Sequence, residues 1–224
     1  MSSKRGFLAA LCLGLVMVGP AFSAGTKIEE EETGRKFDSE VKGSEKGRKL
    51  VCIGTSCREK YFIAVNVYAV AQWVDPVGAK KALAKWKGKT GEAVEDDQAF
   101  FDALCAGDFE KRLRLEFVRD VGVDKIKEAF KASLKLSFGG TIPKYGNDFI
   151  AAFKNELTEK SSYEFHFLPG KTIVAYENGK KLGSWKDKGL AEAVWKIWFQ
   201  KELAEDKLVV VKKGLVSRLA EAWK

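Results

Sequence analysis

The sequence predicts an α+β domain, a largely antiparallel sheet with helices packed on one side. Three stretches carry that prediction. From Tyr61 to Trp73 every odd position is apolar, while the even positions mix Phe62, Ala64, Tyr68 and Val70 with the amides Asn66 and Gln72. A period of two marks one long strand, Arg58 to Val74, with a wholly buried face and a second face on a polar-dotted pocket. Asn178-Gly179 separates two strand-like runs, the strongest hairpin signal in the chain. Val211, Leu215, Leu219 and Trp223 recur four apart, the stripe of a helix that faces a core. With 224 residues, 46% hydrophobic and six Trp, the chain can bury one full core.

Taken in order, Lys4 and Arg5 precede the apolar run Phe7 to Val18, then Gly19-Pro20 and the small-residue segment Ala21 to Ala24. This is the layout of a secretory signal peptide over residues 1–24, cut after Ser23 or Ala24. The expected mature protein is secreted or periplasmic and has no membrane span. Residues 25–47 read as a charged flexible linker or at most an edge strand. The run Glu29 to Glu32 is acidic, and Ile28, Phe37 and Val41 are the apolar anchors.

The globular domain is expected over 48–224. Leu50 to Ile53 reads as a short strand, and Gly54-Thr55-Ser56 as a turn that delivers Arg58 to the long strand. Asp75 and Pro76 stand as N-cap and first residue of a helix that breaks at Gly88. A second helix is expected from Val94 to Cys105. From Lys111 to Val118, Leu113, Leu115 and Phe117 alternate with Arg112, Arg114 and Glu116, a half-exposed antiparallel strand. Helices follow at 124–136 and 145–157, then strands at 163–168, 171–177 and 180–185. Two final helices are expected over 187–203 and 205–223.

The charges exclude more than they assign. The formal charge of +8 falls by two with Lys4 and Arg5, and the remaining lysines are interleaved with acids, as on solvated faces. The aromatic residues sit at core spacing, so no nucleic-acid surface is indicated. The chain has one histidine, His166, and no phosphate-cradling glycine loop. No cofactor and no metal site is therefore expected. Outside the signal peptide three cysteines remain, and Cys52 with Cys57 are either a small disulfide loop or two buried thiols. Arg58 stands out by placement, because a guanidinium at the mouth of an apolar strand offers a planar fork to a carboxylate or phenolate. The alternative is an ordinary ion-paired arginine.

Several motifs carry a resemblance: Gly54-Thr55-Ser56-Cys57-Arg58 with its following strand, Lys85-Trp86-Lys87-Gly88-Lys89, and Phe100-Phe101 through Lys111. Together with the turn at Leu168 to Thr172, Glu177-Asn178-Gly179 and Ile197-Trp198, they resemble the chalcone isomerase fold family and its secreted bacterial branch. The resemblance spans about 49–222. It implies an open-faced β-sandwich, a long antiparallel sheet with a layer of helices on one face and a ligand cleft between them.

It also implies a cleft arginine, matched by Arg58, and partner hydroxyls on the long strand and a late helix, which fall at Ile63 and Ala191. The family's tyrosine and asparagine have no match between Asp124 and Leu136. The loss of these hydrogen-bonding groups removes transition-state stabilisation from the family reaction. The resemblance then implies a non-catalytic, exported domain that binds a small amphipathic anion or phenol, such as a fatty acid. Arg58 would hold the head group, with Ile63 and Ala191 lining the cleft. Asn66, Tyr61 and Tyr68 are candidates for a replacement polar role. Two rivals stay open: an isomerase of the intramolecular lyase type acting on an enone, and an envelope module for a protein partner.

Overall fold

The computed structural model describes residues 25–60 and 65–224; the signal peptide expected over 1–24, together with Tyr61 and Ile63, lies outside them. A small hairpin, β1 (Lys27–Glu29) with β2 (Lys36–Asp38), leads into the main sheet. That sheet has seven strands: β3 (Glu40–Lys42), β4 (Lys49–Lys60), β5 (Val65–Val74), β6 (Lys111–Phe117), β7 (Ser162–Leu168), β8 (Thr172–Glu177) and β9 (Lys180–Lys186). All neighbours are antiparallel, and their spatial order is their order in the chain. The helices α1 (Pro76–Ala82), α2 (Gln98–Ala106), α3 (Val123–Ser137), α4 (Lys144–Ala151), α5 (Lys188–Phe199) and α6 (Leu208–Gly214) complete the α+β fold expected from the sequence.

The two faces of the sheet bury different things. Val70, Val74, Leu113, Leu115, Phe165 and Ile173 pack against the helices, with Phe100, Phe101 and Trp198 as their large partners. On the other face Cys52, Ala69, Ala71 and Trp73 are covered by Phe37, Ile28 and Val41 of the N-terminal strands. Trp73 Nε1 donates to the Asp38 carbonyl at 2.8 Å, so the large side chain is both packed and satisfied. Residues 25–47 thus carry three short strands in place of a linker, and β3 is the sheet edge.

The long strand expected from Arg58 to Val74 is two strands. Arg58 lies near the end of β4, opposite Tyr68 of β5, and the pairing runs from Val51↔Val74 to Lys60↔Val65. No Gly, Pro, Asn or Asp marks the reversal, and the apolar alternation runs straight through it, so periodicity alone could not separate the two strands. Gly54, expected in a turn, is instead within β4, where a register shift leaves Ile53 as an extra residue. A Cβ on Gly54 would stand 2.3 Å from the Gly214 carbonyl oxygen. Glycine is needed there for close backbone approach.

That approach also explains why the last expected helix is broken. α6 ends at Gly214, and a short 3-10 turn takes over at Leu219–Trp223. Arg218 N donates to the Ile53 carbonyl at 2.8 Å, the group the bulge removes from regular pairing. Val211, Leu215 and Leu219 remain buried as expected. Asp75 caps α1 through Val77 N and Gly78 N, with Pro76 at its first position. Asn178 and Gly179 both adopt positive φ, at 49° and 76°, the geometry a two-residue hairpin requires. α4 stops at Ala151, short of the expected end, yet Phe153 and Leu157 still enter the core.

Candidate functional site

Between one end of the sheet and the helices lies a cleft of about 370 Å³, a volume in the range of small-molecule sites. Its floor is Val67 and Tyr68 of β5, Leu115 and Phe117 of β6, and Tyr163 of β7; its roof is Ile126 and Phe130 of α3 with Ile197 and Trp198 of α5. A second register shift in the β4–β5 pair, between Arg58↔Tyr68 and Glu59↔Asn66, leaves Val67 extra. The bulge turns both Val67 and Tyr68 to the cleft wall. The body of the cleft is apolar, and six charged residues also line it: the paired Arg58 and Glu205, together with Arg119, Asp120, Lys125 and Glu128.

Arg58 reaches the cleft from β4, and its guanidinium lies 5.9 Å from the centre of the Tyr68 ring. Its side chain is 14% exposed, so the charge is largely withdrawn from water and needs a partner. That partner is Glu205, in the segment between α5 and α6, whose carboxylate accepts from Arg58 Nη2. Tyr68 is held from the other side: Trp198 Nε1 donates to its hydroxyl oxygen at 3.2 Å. This contact uses a lone pair of the hydroxyl and leaves its O–H free to donate. Burial raises the Tyr68 pKa, so the group stays a neutral donor. Two donors, guanidinium and phenol, therefore converge at one end of an apolar space. Deeper in, Tyr163 Oη is buried without a hydrogen-bond partner, and burial raises its pKa strongly.

Of the residues singled out from the sequence, Arg58 lines the cleft. Ile63 lies outside the described residues. Asn66 is turned to the N-terminal segment, where its Nδ2 donates to the Glu32 carbonyl at 3.1 Å. Ala191 is fully buried in α5 within the core and away from the cleft lining. Cys52 and Cys57 are free thiols. They face Trp73 and Ala69, four residues apart along β5, which separates them by about 13 Å, far beyond disulfide reach. Burial pushes Cys52 up to about 11 and Cys57 up to about 12. His166 pairs with Glu164 at 3.0 Å and lies against the Tyr176 ring, the structural role its mid-strand position suggests. Glu205 carried no sequence signal, since it sits in an irregular charged segment. Tyr68 was visible as a polar group on the mixed face of its strand, but nothing in sequence could show that Trp198 orients it.

At the other end of β6, away from the cleft lining, the layer between sheet and helices is closed. Lys111, at the start of β6, is fully buried. Its Nζ donates to the Gly107 carbonyl at 2.6 Å and stands 3.6 Å from the Phe167 ring centre and 4.4 Å from that of Phe109. Burial lowers its pKa to about 7.

Known proteins share this architecture. A family model described as chalcone isomerase-like matches residues 30–215. A chalcone isomerase-like protein 2 of Humulus lupulus is 33% identical over 85 residues, 38% of this chain and 40% of that protein. A chalcone–flavanone isomerase 2 of Arabidopsis thaliana is 28% identical over 148 residues, 59% of this chain and 65% of that one. The matched segments thus span less than two thirds of either relative. Among solved structures, a fatty-acid binding protein of Arabidopsis thaliana superposes with a TM-score of 0.71 at 19% identity, covering 88% of this chain and 99% of its own.

Proposed function

This chain belongs to the chalcone isomerase-like family, and from that premise we propose that it is a non-catalytic carrier or sensor of a small amphipathic anion such as a fatty acid. The observation that carries this reading is the convergence of Arg58 and the Tyr68 hydroxyl at one end of an apolar cleft. A charge-assisted hydrogen bond there contributes ~1.5–3 kcal/mol, and each methylene buried along Val67, Phe117 and Phe130 adds roughly 0.8 kcal/mol. The similar solved protein described as fatty-acid binding supports the same ligand class. The N-terminal layout of Lys4, Arg5 and the apolar run supports export, as in the family's secreted bacterial branch.

Native mass spectrometry of the purified protein, followed by organic extraction, tests the reading. The expected result is a discrete co-purifying carboxylic acid that Arg58→Ala no longer retains. Retention of the same acid by Arg58→Ala overturns it. Chalcone turnover above the water rate, abolished by Arg58→Ala, would instead establish the isomerase. Intact mass of the exported protein, expected to begin at Ala24 or Gly25, tests the localisation.

A further inference from the structure

The Arg58–Glu205 pair sits inside the cleft, where a ligand's head group would have to lie. Both residues line the cavity, and Glu205 is the more exposed partner, at 30% against 14%. The two differ in how firmly they are held. Arg58 is fixed in the ladder of β4, opposite Tyr68. Glu205 lies between α5 and α6, outside any helix or strand, and its backbone is held by one turn bond, Leu208 N to its carbonyl at 3.0 Å, so its carboxylate can withdraw without breaking the sheet ladder. A second ion pair, Lys207 with Glu59 at 3.2 Å, ties the same segment to the next residue of β4. Leu208, immediately beyond, closes the cleft wall.

We infer that Glu205 is a built-in competitor for the head-group position, so that an anionic ligand binds by exchanging with the protein's own carboxylate as the 200–207 segment lets go. This inference rests on the proposed binding function and specifies how the site is gated. The chemistry follows from the charges. With Glu205 in place, the Arg58–Glu205 pair is neutral as a whole, and only a ligand that brings its own anion replaces what Arg58 loses. A neutral amphiphile of equal length leaves the pair intact and gains apolar burial alone. The apparent affinity for an anion is lowered by the fraction of molecules in which Arg58 is free. Leu208 N donates to the Glu205 carbonyl at 3.0 Å, so movement of Glu205 draws on the Leu208 part of the wall, and release of the carboxylate and widening of the cleft are coupled.

The test compares decanoate with decanol by titration calorimetry on the parent, Glu205→Gln, Asp206→Asn and Arg58→Ala. Asp206 is exposed on the same segment and controls for loss of a nearby negative charge. Glu205→Gln is expected to bind decanoate about tenfold tighter, as for a free-site fraction of roughly one in ten. Its decanol affinity and that of Asp206→Asn for decanoate should stay within about twofold of the parent. Hydrogen exchange across 200–207 should rise when decanoate is added to the parent. Equal or weaker decanoate binding by Glu205→Gln, with parent binding still lost in Arg58→Ala, overturns the exchange and leaves the binding function standing. Decanoate binding that ignores Arg58→Ala, or is absent from parent and Glu205→Gln alike, overturns both.

Discussion

Two cations stand at opposite ends of the space between sheet and helices, and their surroundings differ in kind. Lys111 begins β6 and Phe117 ends it, so the closed end and the cleft lie about 20 Å apart on one strand. At the closed end the ammonium is held by one carbonyl and by the faces of Phe167 and Phe109, with no carboxylate in hydrogen-bond contact. At the cleft the guanidinium is held by a carboxylate from an irregular segment. Aromatic faces suit a permanent burial because they belong to the core and cannot leave. A carboxylate from an irregular segment is free to change partners where a core ring is not. The same polar problem thus has an aromatic solution at one end and an ionic one at the other.

If the closed end is a true core, Phe167→Ala should cost about 3–5 kcal/mol in urea denaturation. Phe117→Ala, which borders existing open space, should cost clearly less. Equal losses would erase the distinction. Tyr68→Phe should weaken decanoate binding by about 0.5–1.5 kcal/mol for the lost donor. It should also lower stability, because the buried Trp198 N–H loses its acceptor; a titration unchanged from the parent would remove Tyr68 from the site.

The ammonium itself gives a pH signature. The unfolded chain keeps the Lys111 proton up to its ordinary 10.5, whereas the folded chain releases it near 7. The unfolded state therefore binds more protons in between, and stability rises with pH through that window. The buried thiols, whose raised values oppose an ordinary 9.0, act in the other direction above it. Stability measured from pH 7 to about 8.5 should climb in the parent and lose that part of its slope in Lys111→Met. The smallest effect belongs to Gln72, whose amide is fully buried with neither atom hydrogen-bonded. Gln72→Leu should be neutral or stabilising by about 1 kcal/mol, read from the denaturation midpoint.

The sequence made the sheet legible where turns carry their own chemistry, as at Asn178-Gly179 and Asp75-Pro76. It misled where a reversal had none. The stretch from Arg58 to Val74 alternates across two strands, so periodicity hides the reversal, and Gly54 reads as a turn residue although it serves a close contact with Gly214. Arg58 was legible because an isolated cation beside an apolar run is conspicuous. Ala191 was placed by analogy alone and proved to be core. Glu205 is illegible for a physical reason: its partner lies 147 residues away across the fold, and a glutamate at the expected start of a helix looks like any other.

The close approach of β4 to Gly214 has a consequence for the birth of the molecule. Strand order follows chain order, so each new strand can zip onto its predecessor as the chain lengthens. The docking of α6 is different, because Ser56 and its partner carbonyl at Val210 are 154 residues apart. This contact joins the two ends of the domain, and during synthesis it must wait until α6 has left the ribosome. Glu205 and Leu208 arrive only with that step. A nascent chain therefore owns its sheet before it owns a complete cleft.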